Sequence, residues 1–258
     1  MNPKVAIIGA GPAGLLAAYA VESQGCAATI YAPEVRERFL GAQVLHRAIP
    51  GLTGVFADAM VQITKWGEES VYRDKVYGSV NLDGPTSWDE YQGALAVWNM
   101  THTNRKLLDL FRDKIVIRHV QPVHIPMILR TYSAIINTAP AKVFCEYPGL
   151  HVFPDVGVTI IGEAHDVIAH NQIIYNGTEY DNWYRSSNLF GHGSTEYPAD
   201  LEVLGGSHVR KPLWTDCDCH LSPRYFRAGR YGCWQKGVLA HDGYDTGIQV
   251  AHALYAMQ

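Results

Sequence analysis

Gly9, Gly11 and Gly14 form a Gly-x-Gly-x-x-Gly turn between an apolar run, Val5 to Ile8, and a helical stretch that starts at Pro12. The chemistry such a pattern serves is the holding of a diphosphate. The first glycine permits a tight turn, the second lets a pyrophosphate reach the backbone, and the third lets helix and strand pack closely. The helix start adds free N–H groups and the positive end of its dipole. Three glycines alone carry little; with a strand before, a helix after and a second strand at Ala28 to Tyr31, they mark a dinucleotide site. The second strand ends on Ala32, where a ribose-binding Asp or Glu is usual. Glu34 is two residues further on, and Arg36 and Arg38 leave open a 2′-phosphate, hence NADP.

Other groups able to do chemistry are scattered. Gln43, His46 and Arg47 are polar positions in an otherwise apolar stretch from Gly41. Each of the last two reads equally well as a surface residue. Asp181-Asn-Trp-Tyr-Arg185 offers an aromatic wall in Tyr184 and an anion clamp in Arg185, with a structural tyrosine and a solvated arginine as the plainer reading. Cys217-Asp-Cys219-His220 invites a metal, but a zinc site needs four ligands. The spacing elsewhere in the chain supplies no others, so no metal is expected. No Cys-x-x-Cys, His-Glu-x-x-His or Gly-x-Ser-x-Gly occurs, which removes dithiol, zinc-protease and serine-hydrolase readings.

These residues need a scaffold, and the bulk numbers bound it. The chain has 258 residues, 47% of them apolar, enough for one large domain or a domain with a sizeable insertion. A net charge of −4 gives no general attraction for nucleic acid or anionic lipid. The basic stretches Arg105 to Arg118 and His208 to Lys211 read as solvated faces. No apolar segment is long enough to cross a bilayer and no secretory signal pattern is present. Five cysteines, an odd number without framework spacing, point to a reducing compartment, so a cytoplasmic protein is expected. Asn99-Met-Thr101 and Asn176-Gly-Thr178 are then chance matches to glycosylation acceptors, and Asn176-Gly177 reads as a hairpin turn.

Periodicity predicts a helix over 12–24, β-like runs between Gly41 and Met100 that include Glu69 to Val76, and a more helical Ser87 to Val97. It continues with a helix at Asn104 to Asp113, strands at Ile115 to His119 and Ser133 to Asn137, and a β-rich block from Lys142 to Tyr197 containing His165 to Ala169. A strand near Tyr225 and an amphipathic helix from Asp242 close the chain. The simplest organisation is a nucleotide-binding domain from 1–45, 104–140 and 220–258. The β-rich insertions 46–103 and 141–219 would pair as a second domain, with ligand at the carboxyl ends of the parallel strands.

Val5-Ala-Ile-Ile-Gly-Ala-Gly-Pro-Ala-Gly14, Ile135-Ile-Asn-Thr-Ala-Pro140 and Gly229-Arg-Tyr-Gly-Cys-Trp234 with the following helix resemble, in order, the FAD-dependent oxidoreductases of the glutathione-reductase type. The resemblance is in particular to the branch containing amine oxidases, UDP-galactopyranose mutases and p-hydroxybenzoate hydroxylase. The resemblance implies an α/β fold, a Rossmann-type FAD-binding domain with a β-rich inserted substrate domain. It places Gly9, Ala10, Gly11, Pro12, Ala13 and Gly14 on the diphosphate. Ala32, Pro33, Glu34 and Val120 fall near the adenosine, and Thr138, Ala139 and Pro140 beneath the cofactor. Gly229, Arg230, Trp234, Asp242, Thr246 and Gly247 fall near the flavin, and Gln43, His46 and Arg47 are set to reach its ring or an anionic substrate group.

The activity implied is removal of a hydride from a C–H bond next to an amine, of a small molecule or a modified nucleotide. The short chain is also similar to flavoproteins of bacterial viruses, among them flavin-dependent lyases acting on amino-acid-modified thymidine in DNA. The acidic net charge weighs against DNA. A non-redox flavin mutase, with Arg47 and Arg185 on a nucleotide diphosphate, and a bare or NADP-binding nucleotide module are the remaining alternatives.

Overall fold

A computed structural model of the chain describes residues 2–37, 43–78, 80, 86–219 and 221–257. Its strands are β1 (Lys4–Ile8), β2 (Ala27–Ala32), β3 (Val44–Leu45), β4 (Ala59–Gly67), β5 (Gly93–Asn99), β6 (Ile115–Ile117) and β7 (Ala134–Asn137). They continue as β8 (Asp155–Ile161), β9 (Gln172–Gly177), β10 (Arg185–Leu189), β11 (His192–Pro198), β12 (Ser207–Pro212) and β13 (Tyr225–Arg227). The α-helices are α1 (Pro12–Ser23), α2 (Glu69–Tyr77), α3 (Ser87–Glu90), α4 (Met100–Phe111), α5 (Ile125–Thr131), α6 (Gly229–Cys233) and α7 (Asp242–Ala256).

Five parallel strands in the order β13-β7-β1-β2-β6 make the first sheet. β1 sits at its centre, so Val5, Ala6 and Ile7 are sealed from solvent, as a continuous apolar run on a strand covered on both faces requires. Helix α1 starts at Pro12, whose fixed φ and missing N–H suit the first helical position. Its leucines and alanines are strong helix formers, and it stops before Gly25 at φ +82°. Leu15, Leu16, Ala17 and Val21 pack with Val250, Ala251 and Leu254 of α7 and Leu107 and Phe111 of α4. The other face of the sheet is covered by Ile125 and Ile128 of α5 with Phe144. The chain is thus an α/β protein built on a Rossmann-type parallel sheet.

The second sheet has eight strands in the order β12-β8-β11-β10-β9-β4-β5-β3. Strands from two distant stretches join where β4 and β9 run parallel, Ile63 beside Ile173. Val61, Ile63, Val97, Val158, Ile160, Ile173 and Tyr175 line one face; Trp66, Ile174 and Trp183 pack on the other. The alternation is that of half-buried strands.

Four local expectations are corrected. Glu69 to Val76 is helix, not strand. Its aromatic and β-branched residues suggested a sheet, but Tyr72 and Val76 are four apart on one helical face, and Glu69 pairs with Arg73 at the same spacing. Ser87 to Val97 is one helical turn, held by a Thr86–Asp89 capping box, followed by strand. Gly93 takes φ +76°, a left-handed conformation that turns the chain into β5. Asn176-Gly177 is not a tight turn, and His165 to Ala169 is no strand. Asn176 is buried at the end of β9, and its amide organises the 178–184 connection: Oδ1 accepts from Thr178 N at 2.9 Å and Nδ2 donates to Trp183 O at 3.1 Å.

Candidate functional site

The glycine turn is shaped by close approaches. A Cβ on Gly14 would lie 2.0 Å from the Gly9 carbonyl oxygen, so only glycine lets α1 begin against the turn. Gly9 has φ +106°, and a Cβ there would meet Thr138 Oγ1 at 2.5 Å. Gly11 differs: its backbone is extended, and a Cβ on it would meet nothing within 4 Å. Space therefore stands in front of Gly11 alone. No side chain caps α1, leaving its first-turn N–H groups to an outside partner. Thr138 crosses beneath, its hydroxyl donating to Ile8 O at 2.9 Å, and Ala139 N is held by Asn137 Oδ1 at 3.0 Å; Pro140 follows. Ala10 and Ala32 are buried, and Pro33 is exposed.

Beside the start of α1 a cavity of about 600 Å³ opens along the inner face of the second sheet. Pro12 and Ala13, Arg230 of α6 and the segment 237–240 ahead of α7 form its floor. Gln43, His46, Tyr91, Tyr184 and Arg185 are among its walls. Val120 lies apart, in a second cavity of about 220 Å³ with Tyr31 and Arg118 beyond the end of β2.

The roof carries an ion cluster built from three strands. Glu196 of β11, 2% exposed, accepts from Arg185 Nη1 of β10 at 2.8 Å and from Lys211 Nζ of β12. Burial by itself would raise the Glu196 carboxyl, but Lys211 and Arg185 outweigh it and hold it at about 2. Arg185 is raised: burial pulls it down, and Glu196 more than reverses this. Lys211 is lowered, because burial and Arg185 together exceed the lift from Glu196. One carboxylate serves two cations, so the cluster carries a surplus positive charge inside an aromatic box of Tyr72, Tyr175 and Tyr184. Arg230 adds another, its guanidinium donating to Pro212 O at 3.0 Å and its pKa lowered by burial.

His46 stands edge-on to Tyr91 at 5.5 Å and 6.1 Å from His241. Burial, then His241 and Arg185, lower its pKa below the ordinary 6.5. Gln43 accepts from Ser187 Oγ at 3.1 Å and ties this wall to β10.

Several sequence candidates sit elsewhere. Arg47 pairs with Asp245 and lies 5.9 Å over the Tyr244 ring, which fastens the chain to α7 outside the cavity lining. Trp234 is 1% exposed, donates from Nε1 to Pro154 O at 3.0 Å and meets Phe153 edge-on, a packing role. Gly247 allows α7 against α1, since a Cβ would touch Ala20 Cβ at 2.6 Å. Thr246 donates to Asp242 O, and Asp242 accepts from Leu239 N at the helix start. Gly229 at φ +69° abuts Ala13 Cβ. Glu34 is exposed and paired with Arg36. Gly41, Arg38 and His220 lie outside the described residues.

The sequence reading also missed residues. Lys211 belonged to a stretch read as solvated; strand alternation sends Arg210 out to Asp155 and Lys211 in. Glu196 and Tyr175 carried no signal beyond their place in alternating runs. The expectation that Cys217 and Cys219 lack further metal-ligating neighbours is also corrected, because Cys145 and His151 lie beside them.

No protein-family model matches the chain, and no curated protein is similar to it in sequence. Among the described residues no helix is long and apolar enough to cross a membrane. Solved structures do share its fold. The flavin-dependent halogenase CmlS matches at 14% identity and TM-score 0.58 over all of this chain, which spans 58% of that protein's length. CtdE, in complex with FAD and substrate, matches at 11% identity and TM-score 0.55 over 100% of this chain and 82% of that one. A single-residue variant of Klebsiella pneumoniae HpxO, complexed with FAD, matches at 10% identity and TM-score 0.51 over 98% and 81%. The fold of this chain is that of these flavoenzymes.

Proposed function

We propose that this chain is an FAD-dependent oxidoreductase, oxidising a C–H bond next to an amine in a small substrate that also carries an anionic group. The observation that carries the reading is the continuity of an open, uncapped glycine turn with a cavity roofed by a positively charged aromatic box. The residues fit the cofactor. Gly11 leaves room for a diphosphate, α1 offers it amides, and the floor before α7 extends the same surface toward the substrate. Bound there, the flavin would supply two-electron chemistry.

The chain's own groups do the rest. An amine must be neutral to give up hydride, and His46, kept uncharged at neutral pH, is placed to accept the ammonium proton on a ring nitrogen. The surplus charge of Arg185 and Lys211 attracts a carboxylate or phosphate and orients the substrate. Tyr72, Tyr175 and Tyr184 exclude water, which strengthens these interactions.

The test is anaerobic flavin reduction by a panel of amines and amino acids, free and attached to thymidine in DNA. Reduction by an amine bearing an acidic group is expected. His46→Gln should slow it about 100-fold with flavin still bound, and should remove the limb of the pH profile that falls as acid protonates His46. Oxygenation is the second reading, favoured by likeness of fold to 2-methyl-3-hydroxypyridine-5-carboxylic acid oxygenase at 10% identity and TM-score 0.53. Flavin reduced only by a nicotinamide cofactor, with oxygen appearing in product, would favour it and exclude amine oxidation.

A further inference from the structure

Away from the cavity, Cys145, His151, Cys217 and Cys219 bring one ligand atom each to within 4.8 Å of one another. We infer that these four side chains form a closed structural zinc site joining the two sheets.

The distances are those of a tetrahedron. Thiolates ~2.3 Å from a tetrahedral zinc lie ~3.8 Å apart, and a thiolate and an imidazole nitrogen ~3.5 Å. Cys145 Sγ is 3.6 Å from Cys217 Sγ and 3.8 Å from Cys219 Sγ, and Cys219 Sγ is 3.4 Å from His151 Nε2. The outer contacts fit as well. Asp216 Oδ1 lies 3.6 Å from the other ring nitrogen, Nδ1, and accepts from Val152 N at 2.8 Å. A carboxylate behind a ligating histidine fixes the ring's tautomer and direction. Arg227 Nη2 donates to Cys217 Sγ at 3.2 Å, and the same guanidinium holds the carbonyls of Cys217 and Cys219, easing the charge of three thiolates. The three cysteines are buried. Four protein ligands with no open position make a structural site, not a catalytic one.

Its place gives it a role. Cys145 and His151 lie on the segment leaving β7 for β8, and Cys217 and Cys219 on the segment returning from β12 to β13. An ion there clamps these two of the crossings between the nucleotide sheet and the substrate sheet, beside Phe153 and Pro154, which pack on Trp234 ahead of the cavity floor. It would thereby set the height of the ion-cluster roof over the glycine turn.

The test is independent of the flavin reading, because metal content can be measured on protein with and without flavin. Full-length protein, purified under reducing conditions from zinc-supplemented cells, should contain about one zinc per chain by mass spectrometry. Cys145→Ser and Cys219→Ser should retain under about a tenth of it, and His151→Cys should retain it in full as a four-thiolate site. Asp216→Asn should fold and bind zinc ~10-fold more weakly in competition with a chromophoric chelator. In wild-type protein a strong chelator should expose three more thiols to a thiol reagent and lower the Tm by ~5 °C or more. Wild-type protein that holds no zinc and takes none from Zn2+ solution would overturn the inference. So would iron in equal amount, or a disulfide between two of the three cysteines in freshly isolated protein.

Discussion

The glycine turn beside the cavity and the roof over it are built on opposite principles. The glycine turn is made of backbone: its shape follows from three residues spaced over six positions, and side chains there are excluded by clashes of 2.0 to 2.5 Å at Gly14 and Gly9. The roof is made of side chains from β10, β11 and β12, and its stability depends on charge balance rather than on shape. A backbone site fails when a side chain is added. A side-chain site fails when one is neutralised.

The largest effect should fall on the roof. Glu196→Gln leaves Arg185 and Lys211 buried without their carboxylate, and breaking one partner of such a cluster costs about 3–5 kcal/mol. Chemical denaturation measures it, and a variant within about 1 kcal/mol of wild type would show that the roof is hydrated. The same carboxylate sets an acid limit. Its folded pKa of about 2 lies below the ordinary 4.5, so its contribution is present above 4.5 and is lost as pH falls toward 2. That amounts to about 3 kcal/mol, and Glu196→Gln should flatten stability over this range.

At the glycine turn, Gly11→Val should leave stability unchanged, since its backbone is extended and nothing stands within 4 Å. Flavin retention should weaken about 100-fold, equivalent to two hydrogen bonds of ~1.5 kcal/mol. Ultrafiltration of the yellow protein reads this directly, and an equally yellow variant would move the diphosphate elsewhere. The smallest effect belongs to Arg47→Ala, which removes a half-exposed pair with Asp245 worth under ~1 kcal/mol. Its Tm should fall slightly and turnover should hold; a large loss of turnover would return Arg47 to the substrate site.

The same division governs what could be read in advance. The parallel strands, α1 and α7 were legible because a buried strand is a continuous apolar run and a long helix repeats every three to four residues over many positions. Short elements misled: Glu69 to Tyr77 has β-type composition but a helical pairing of Glu69 with Arg73, and Ser87 to Val97 changes state at Gly93. The partners of Arg47 and Trp234 left no trace in the sequence, since nothing local says that a guanidinium will turn to Asp245, 198 residues away, or an indole to Pro154.

The amino-acid sequence by itself determined the nucleotide turn, the helix that follows it and the α/β character, because each rests on neighbours a few residues apart. Tertiary structure alone decided that Glu196, Arg185 and Lys211 meet over a cavity, and that Cys145 and His151 reach Cys217 and Cys219. Those meetings depend on strand order and on two crossings between sheets, and long-range pairing leaves no periodic trace in the chain.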